Sequence, residues 1–322
     1  MRILIIKQGA LGDVIMATTL IAAIQRAHAG ATFSLLTTPA FAPLFDSWPT
    51  LDVQAFPRRG WLAMAAMLRW IRRTRFDRVY DLQGNDRTGL LCALSGIRER
   101  VGNRTRYPYT HHPRERWRGQ CHIFERMNDL LAAAGVAPAE PRPLLPCPPA
   151  ATADVAAFLA QHALTPGRFV LLHAGASPTR QDKCWPGFGE LATRLQAQDL
   201  CVLWLGAGGD RARNRELAAR CGIDATDRFS IPQLAEVARH ARFAVTNDSG
   251  PMHACAVAGG PVFGLFGPSD WRRNHALGQR EHVLACTALV EGYAGQRSGD
   301  CLAALTVDQV WQRLAASGVV DD

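Results

Sequence analysis

The chain has 322 residues, 48% of them hydrophobic, with a formal net charge of +8 and a mean hydropathy of -0.05. That length suits two domains of about 150 residues each, and no apolar run reaches the roughly 18 residues of a membrane-spanning helix. Nine scattered cysteines with no Cys-x-x-Cys pair argue against a disulfide scaffold and for a reducing compartment.

The opening Met1-Arg2-Ile3-Leu4-Ile5-Ile6-Lys7 has neither the apolar length nor the cleavage site of a secretory signal, and reads as a first strand over residues 2–6. An uninterrupted apolar strand of this kind belongs to a parallel sheet covered on both faces. After a Gly-rich turn, Val14, Ala17, Ile21 and Ile24 recur at helical spacing. Phe33–Leu36 and Arg78–Leu82 are predicted strands, the latter ending in the polar turn Gln83-Gly84-Asn85-Asp86. The stretch from about 55 to 120 is the least legible and reads as loops. Proline punctuates residues 136–150, which are assigned as the linker, with a short helix at about 151–162.

Alternation then restarts. Strands are predicted at Phe169–Leu172, Cys201–Leu205, Phe243–Thr246 and Val262–Phe266. Helices are predicted at Phe188–Leu195, Asp210–Cys221, Ile231–His240, Met252–Ala258 and finally Leu305–Ala315. Strand–helix alternation in both halves predicts an α/β fold with parallel sheets. The expected domains are 1–150 and 151–322, with the last helix free to pack back on the first.

Positive charge gathers in the first half, at Arg58, Arg59, Arg69, Arg72, Arg73, Arg75 and Arg78, and again at Arg98, Arg100, Arg104, Arg106, Arg114, Arg116 and Arg118. Arginine favours bidentate contact with phosphate or carboxylate, so the cluster points to an anionic partner, although any single arginine also fits a solvated surface. No helix-turn-helix, RNP-like or zinc-finger pattern accompanies it, so nucleic acid is not expected, whereas an anionic membrane face suits it.

Several turns carry chemistry. Gly9-Ala10-Leu11-Gly12-Asp13 joins strand to helix without being a Walker A or dinucleotide fingerprint, and Gly9 and Gly12 let a ligand approach the backbone. Asp13 has two readings: a helix-capping acid, and a cleft-facing carboxylate able to take a proton from an attacking hydroxyl. His173-Ala174-Gly175-Ala176-Ser177 runs on to Thr179 and Lys183, which can meet phosphate oxygens, or forms an ordinary surface loop. Asp210, after Gly206-Ala207-Gly208-Gly209, suits either a ribose contact or a cap. Asn247-Asp248-Ser249-Gly250-Pro251-Met252-His253 is a strand–turn–helix anion site with Pro251 in the first turn. A serine nucleophile is not expected there, since the Gly-x-Ser-x-Gly elbow is absent. Cys286 and Cys301, fifteen residues apart near His282, make a poor zinc pattern and are expected as thiols.

Taken together, these residues resemble glycosyltransferase family 9, the lipopolysaccharide heptosyltransferases, over nearly the whole chain. The resemblance rests on Met1–Lys7 with Gly12-Asp13-Val14, on Lys183-x-Trp185-Pro186, on Asn247–His253, on Phe266-Gly267-Pro268-Ser269-Asp270, and on Cys301-Leu302 with Val307–Val310. It implies a GT-B fold, two Rossmann-like domains with parallel sheets facing a central cleft. It also implies an inverting, metal-independent transfer of heptose from ADP-L-glycero-D-manno-heptose to the anionic inner core of lipopolysaccharide, without a cofactor. The N-terminal domain would bind acceptor and the C-terminal domain the nucleotide sugar. Asp13 would be the general base, Lys183 and Thr179 would hold donor phosphates, and Asp210 the ribose. Asp248, Ser249, Gly250 and His253 would complete the donor site, with Phe229 by the adenine. Relatives often carry Glu at the Asp210 position and a hydroxyl residue where Pro178 stands. The implied location is cytoplasmic, peripheral at the inner-membrane face. Alternatives are another GT-B sugar-nucleotide enzyme, with a different donor sugar or an epimerase activity, and a non-catalytic basic binding protein at that face.

Overall fold

A computed structural model describes residues 1–103, 107–114, 121–286 and 299–321. The chain forms two compact units, Met1–Pro146 and Cys147–Asp322. Among the described residues, no helix is long and apolar enough to cross a membrane.

The first unit is a five-stranded parallel sheet in the order β3-β2-β1-β4-β5. Its strands are β1 Arg2–Ile6, β2 Thr32–Thr37, β3 Leu51–Ala55, β4 Arg78–Asp81 and β5 Glu99–Val101. Ile3 to Ile6 are completely buried, as a central strand with helices on both faces requires. The helices are α1 Leu11–Ala27, α2 Trp61–Thr74, α3 Asp86–Leu94 and α4 Ile123–Ala133. On one face, Met67 and Ile71 of α2 and Leu91 and Cys92 of α3 pack with Leu4, Ile6, Leu36 and Val79 of the sheet. On α3, Asn85 accepts from the Thr88 amide at 2.9 Å and the Thr88 hydroxyl returns to the Asn85 backbone, a complete capping box.

The region read as loops between 55 and 120 therefore contains α2, α3 and β5 besides the expected strand β4. The apolar stripe of α2 is blurred, because only Met67 and Ile71 are buried while exposed Trp61 and Leu62 share the outer face with three arginines. β3 and β5 are edge strands with half-exposed residues, so neither reads as an apolar run.

The Pro-rich segment is held down. The Ala139 amide donates to the Asn128 carboxamide at 2.8 Å, and the Leu144 amide to the Thr18 hydroxyl at 2.9 Å. Helix α5, Pro149–Gln161, starts with proline in its first turn, where no backbone N–H is missed.

The second unit is a six-stranded parallel sheet in the order β11-β10-β9-β6-β7-β8. Its strands are β6 Phe169–His173, β7 Cys201–Trp204, β8 Ile223–Asp224, β9 Ala244–Asn247, β10 Val262–Phe266 and β11 Val283–Ala285. The helices after α5 are α6 Phe188–Gln196, α7 Arg211–Ala218, α8 Ile231–His240, α9 Gly250–Ala256, α10 Trp271–Asn274 and α11 Val307–Ala316. The last helix packs within this unit: Val307, Val310 and Leu314 enter the core that holds Leu191 and Leu195 of α6. Both units reverse direction beside their first strand, between β1 and β4 and between β6 and β9, the switch points at which open α/β sheets place ligands.

The cysteines require one correction. Cys286 is disulfide-bonded rather than a free thiol. The side chain of Cys301 lies outside the described residues, whereas the seven from Cys92 to Cys255 are free thiols.

Candidate functional site

In the first unit, β1 delivers Lys7, Gln8 and Gly9 to the switch point. Gly9 has φ of +131°, a conformation that excludes a side chain, and a Cβ there would also lie 2.9 Å from the Phe41 ring and 3.8 Å from Arg58 Nη1. The next residue, Ala10, is the N-cap of α1 and makes no side-chain capping bond. Asp13 sits in the first turn beyond it. Its carboxylate lies 3.6 Å from Lys7 Nζ. Lys7 is only 2% exposed, whereas the Asp13 side chain keeps 24% of its surface open to solvent.

Lys7 also donates to the Leu82 carbonyl at 3.3 Å, bridging β1 to the end of β4. Burial pushes its ammonium below the ordinary lysine value, and the charges of Asp13 and Asp81 oppose that fall. Asp81 is buried beneath the turn after β4. Desolvation raises its carboxyl above the usual range, against hydrogen bonds from the Gly84 amide at 2.9 Å, the Tyr109 hydroxyl at 2.5 Å, Thr88 and the Gln83 amide. The Gln8 amide donates to the Gln83 carboxamide oxygen at 2.9 Å, closing the two strand ends together.

In the second unit, the loop after β6 and the turn after β9 interlock through buried Asn247. Its amide nitrogen donates to the Gly175 carbonyl at 3.0 Å, and its oxygen accepts from the Trp185 amide at 3.1 Å. That bracket holds Lys183 over Asp248, with Nζ 2.5 Å from Oδ2, and the pair is nearly enclosed at 16% and 8% exposure. Ser249 is the N-cap of α9, but its hydroxyl contacts His173 Nδ1 at 3.0 Å and the Asn247 carbonyl at 3.2 Å instead of capping. Gly250 and Pro251 form the first turn of α9, and His253 is buried one turn in.

The far nitrogen of His173 lies 3.8 Å from Asp210 Oδ2. Burial works to raise the Asp210 carboxyl, but His173, the Ala207 N–H at 3.0 Å and Arg213 outweigh it and hold the group below its ordinary value. A Cβ on Gly175 would lie 2.0 Å from Asp210 Oδ1, so glycine is what lets the loop close over this carboxylate.

The donor-type residues do not form one cluster. Lys183 and Asp248 pair directly, and Asp210, His173 and Ser249 form a chain beside them. Thr179 stands apart on an exposed turn of the same loop. Phe229 packs edge-on against Phe158 of α5, with ring centroids 4.9 Å apart. Lys7, Asp81, His173 and Asn247 were given no role from sequence. The one available signal was the polar residue ending each apolar strand, since parallel strands present those ends at the same edge. Of the arginine cluster, Arg104, Arg106, Arg116 and Arg118 lie outside the described residues. Among the described residues, no group of three His, Cys, Asp or Glu side chains is arranged to hold a metal ion.

Two Rossmann-type parallel sheets, each with charged side chains gathered at its switch point, place the protein in the GT-B class of glycosyltransferases. More narrowly, the chain belongs to glycosyltransferase family 9 (heptosyltransferase), whose model matches residues 64–291. It is 28% identical over 300 residues to lipopolysaccharide heptosyltransferase 1 of Salmonella typhimurium, covering 84% of this chain and 89% of that one. Its fold is similar to a crystal structure of a family 9 glycosyltransferase from Veillonella parvula, with TM-score 0.82 at 20% identity over 99% of this chain and 97% of that one. It is likewise similar to the Escherichia coli ADP-heptose lipopolysaccharide heptosyltransferase II, with TM-score 0.74 at 22% identity over 98% of each chain.

Proposed function

We propose that this glycosyltransferase moves a heptose from ADP-L-glycero-D-manno-heptose onto the inner core of lipopolysaccharide, with inversion, at the cytoplasmic face of the inner membrane. The first unit takes the acceptor and the second the nucleotide sugar. Asp13 accepts the proton of the attacking sugar hydroxyl while the new C–O bond forms at the anomeric carbon. The bond to phosphate breaks in the same displacement, and ADP leaves with the electron pair. Lys183 and the backbone N–H groups at Ser249 and Gly250 meet the diphosphate as its charge grows. Asp248 orients Lys183. The Asp210–His173 pair supports the Ser249 hydroxyl and the loop beneath the ribose. Neither a metal ion nor a cofactor is invoked.

The observation that carries this reading is the setting of Asp13. It is a partly open carboxylate at the carboxyl edge of the central strand, beside a buried ammonium and with the Arg58 guanidinium close to Gly9. A general base for a hydroxyl needs such access to the attacking group. The test is incubation with ADP-heptose and a water-soluble, delipidated inner-core acceptor, with NMR of the anomeric centre in the product. Transfer with inverted configuration is expected. Retained configuration, or transfer only from a UDP- or GDP-sugar, would overturn the reading.

A further inference from the structure

Among the described residues, seven large hydrophobic side chains are exposed, and five of them lie on one surface. Trp61 and Leu62 open α2 at 78% and 65% exposure, Leu90 and Leu94 sit on α3, and Tyr107 follows β5. These elements are tied together. α2 and α3 cover the same face of the sheet. Arg87 of α3 donates to the Gly60 carbonyl at the start of α2, at 3.0 Å. Arg72 at the end of α2 donates twice to the Leu94 carbonyl, at 3.0 and 2.7 Å, and the Tyr107 hydroxyl reaches the Ala93 carbonyl at 3.3 Å. The five side chains therefore share a continuous outer layer, while Met67, Ile71, Leu91 and Cys92 face the core.

The outer stripe of α2 changes character along its length. Leu62, Ala65, Arg69, Arg72 and Arg73 follow one another at helical spacing, all exposed. The apolar end thus runs into a cationic one. There a shallow depression of about 600 Å³ is lined by Ala65, Leu68, Arg69, Arg72, Arg73 and Arg75. α2 contains no acidic residue, and among the described residues no carboxylate forms an ion pair with these arginines. Four guanidinium groups around one depression repel each other unless an anion joins them.

We propose that the outer face of α2 and α3 is a docking surface for an anionic phospholipid bilayer. Lipid phosphates occupy the arginine-lined depression, and Trp61, Leu62, Leu90 and Leu94 enter the boundary between headgroups and acyl chains. Guanidinium matches phosphate in pairs of hydrogen bonds, and an exposed Trp–Leu pair suits the interface more than water. A protein partner would need only the apolar part, and a soluble anion only the cationic part. A bilayer with anionic lipid uses both. The inference rests on the membrane-face reading above and names the surface that serves it.

The test is co-sedimentation of the full chain with vesicles of phosphatidylethanolamine and phosphatidylglycerol, and with vesicles of phosphatidylcholine alone. Wild type is expected on the anionic vesicles, with release at high salt. Arg69→Glu/Arg73→Glu should cut that partition by about tenfold or more, since each basic side chain near the surface contributes about 1 kcal/mol. Trp61→Ser/Leu62→Ser should weaken it as well. All four positions are exposed or at the helix start, so circular dichroism should be unchanged. Both variants should still transfer sugar to the delipidated acceptor at the wild-type rate. Equal binding of wild type and variants to vesicles would overturn the proposal. So would loss of turnover on the soluble acceptor in the arginine variant, which would make the depression an acceptor site. A dimer abolished by Trp61→Ser/Leu62→Ser, with vesicle binding intact, would assign the face to a second copy. Vesicle binding needs no sugar donor, so failure of ADP-heptose transfer would count against the proposed reaction and leave this surface standing.

Discussion

At the scale of single residues, the proposed reaction assigns proton acceptance to the switch point of the first unit and anion binding to that of the second. Replacing Asp13 by asparagine keeps its size and removes only the base. Turnover should fall by about 10²–10⁴-fold while calorimetry shows ADP binding unchanged. Turnover near the normal rate would mean that the hydroxyl loses its proton elsewhere. The proposed function gives Lys183 a second task beside its structural one, for its ammonium lies 2.5 Å from a nearly enclosed carboxylate. Lys183→Ala should weaken donor binding by about 1.5–3 kcal/mol and also lower the melting temperature, since Asp248 loses its cation. Adding Asp248→Asn should restore the melting temperature but not the affinity. If the double variant recovers ADP binding, Lys183 serves the fold alone. Lys7 makes a pH prediction. Its ammonium titrates below 10.5 in the folded chain because it is buried, so the unfolded chain holds that proton more tightly. Between the depressed folded value and 10.5, stability contributed by this group should therefore rise with pH. Compared with Lys7→Met in urea titrations, wild type should gain stability as pH climbs through that window. A constant difference between the two would show that Lys7 titrates normally.

At the scale of elements, legibility followed burial. β1, β6 and β10 read directly because helices cover both faces and each carries a buried, nearly unbroken apolar run. β3 did not, for Asp52 and Gln54 alternate with apolar residues along a sheet edge. Helix α2 was illegible for a related reason, since its cationic outer stripe hides a seam of two buried residues. The turns after β1, β6 and β9 stood out by glycine and charge, so Asp13, Lys183 and Asp248 could be named. Their supports could not, because Lys7 meets Leu82 and Asn247 meets Gly175 across more than seventy residues of chain. Such pairings follow from strand order, which local pattern does not encode. The loop after β6 offers a sharp test of this architecture. A methyl group on Gly175 has to displace the Asp210 carboxylate, so Gly175→Ala should cost about 1–3 kcal/mol in chemical unfolding and reduce ADP binding. An unchanged unfolding midpoint would show that the loop has room to shift.

At the scale of the whole molecule, the two units carry separate cores and separate charged clusters. Saturating ADP should slow amide exchange in the peptides spanning Ala174–Lys183 and Asn247–His253, and leave those spanning Lys7–Asp13 unaffected. Protection appearing first in the Lys7–Asp13 segment would reverse the assignment of donor and acceptor units. On the proposed docking surface, the arginines of α2 should add a salt-dependent component to binding of acceptor presented in a bilayer, which a soluble acceptor would lack.

The contiguity of each unit along the chain also bears on biosynthesis. Among the described residues, no strand of the first sheet comes from beyond Val101, so all five strands are translated before the second unit begins. At about 5–20 residues per second, the ribosome needs roughly 10–35 s to complete the second half. Small α/β domains commonly fold in milliseconds to seconds. The nascent first half thus has time to close its sheet alone, bringing the ammonium of Lys7 to the carboxylate of Asp13 before the second half is complete.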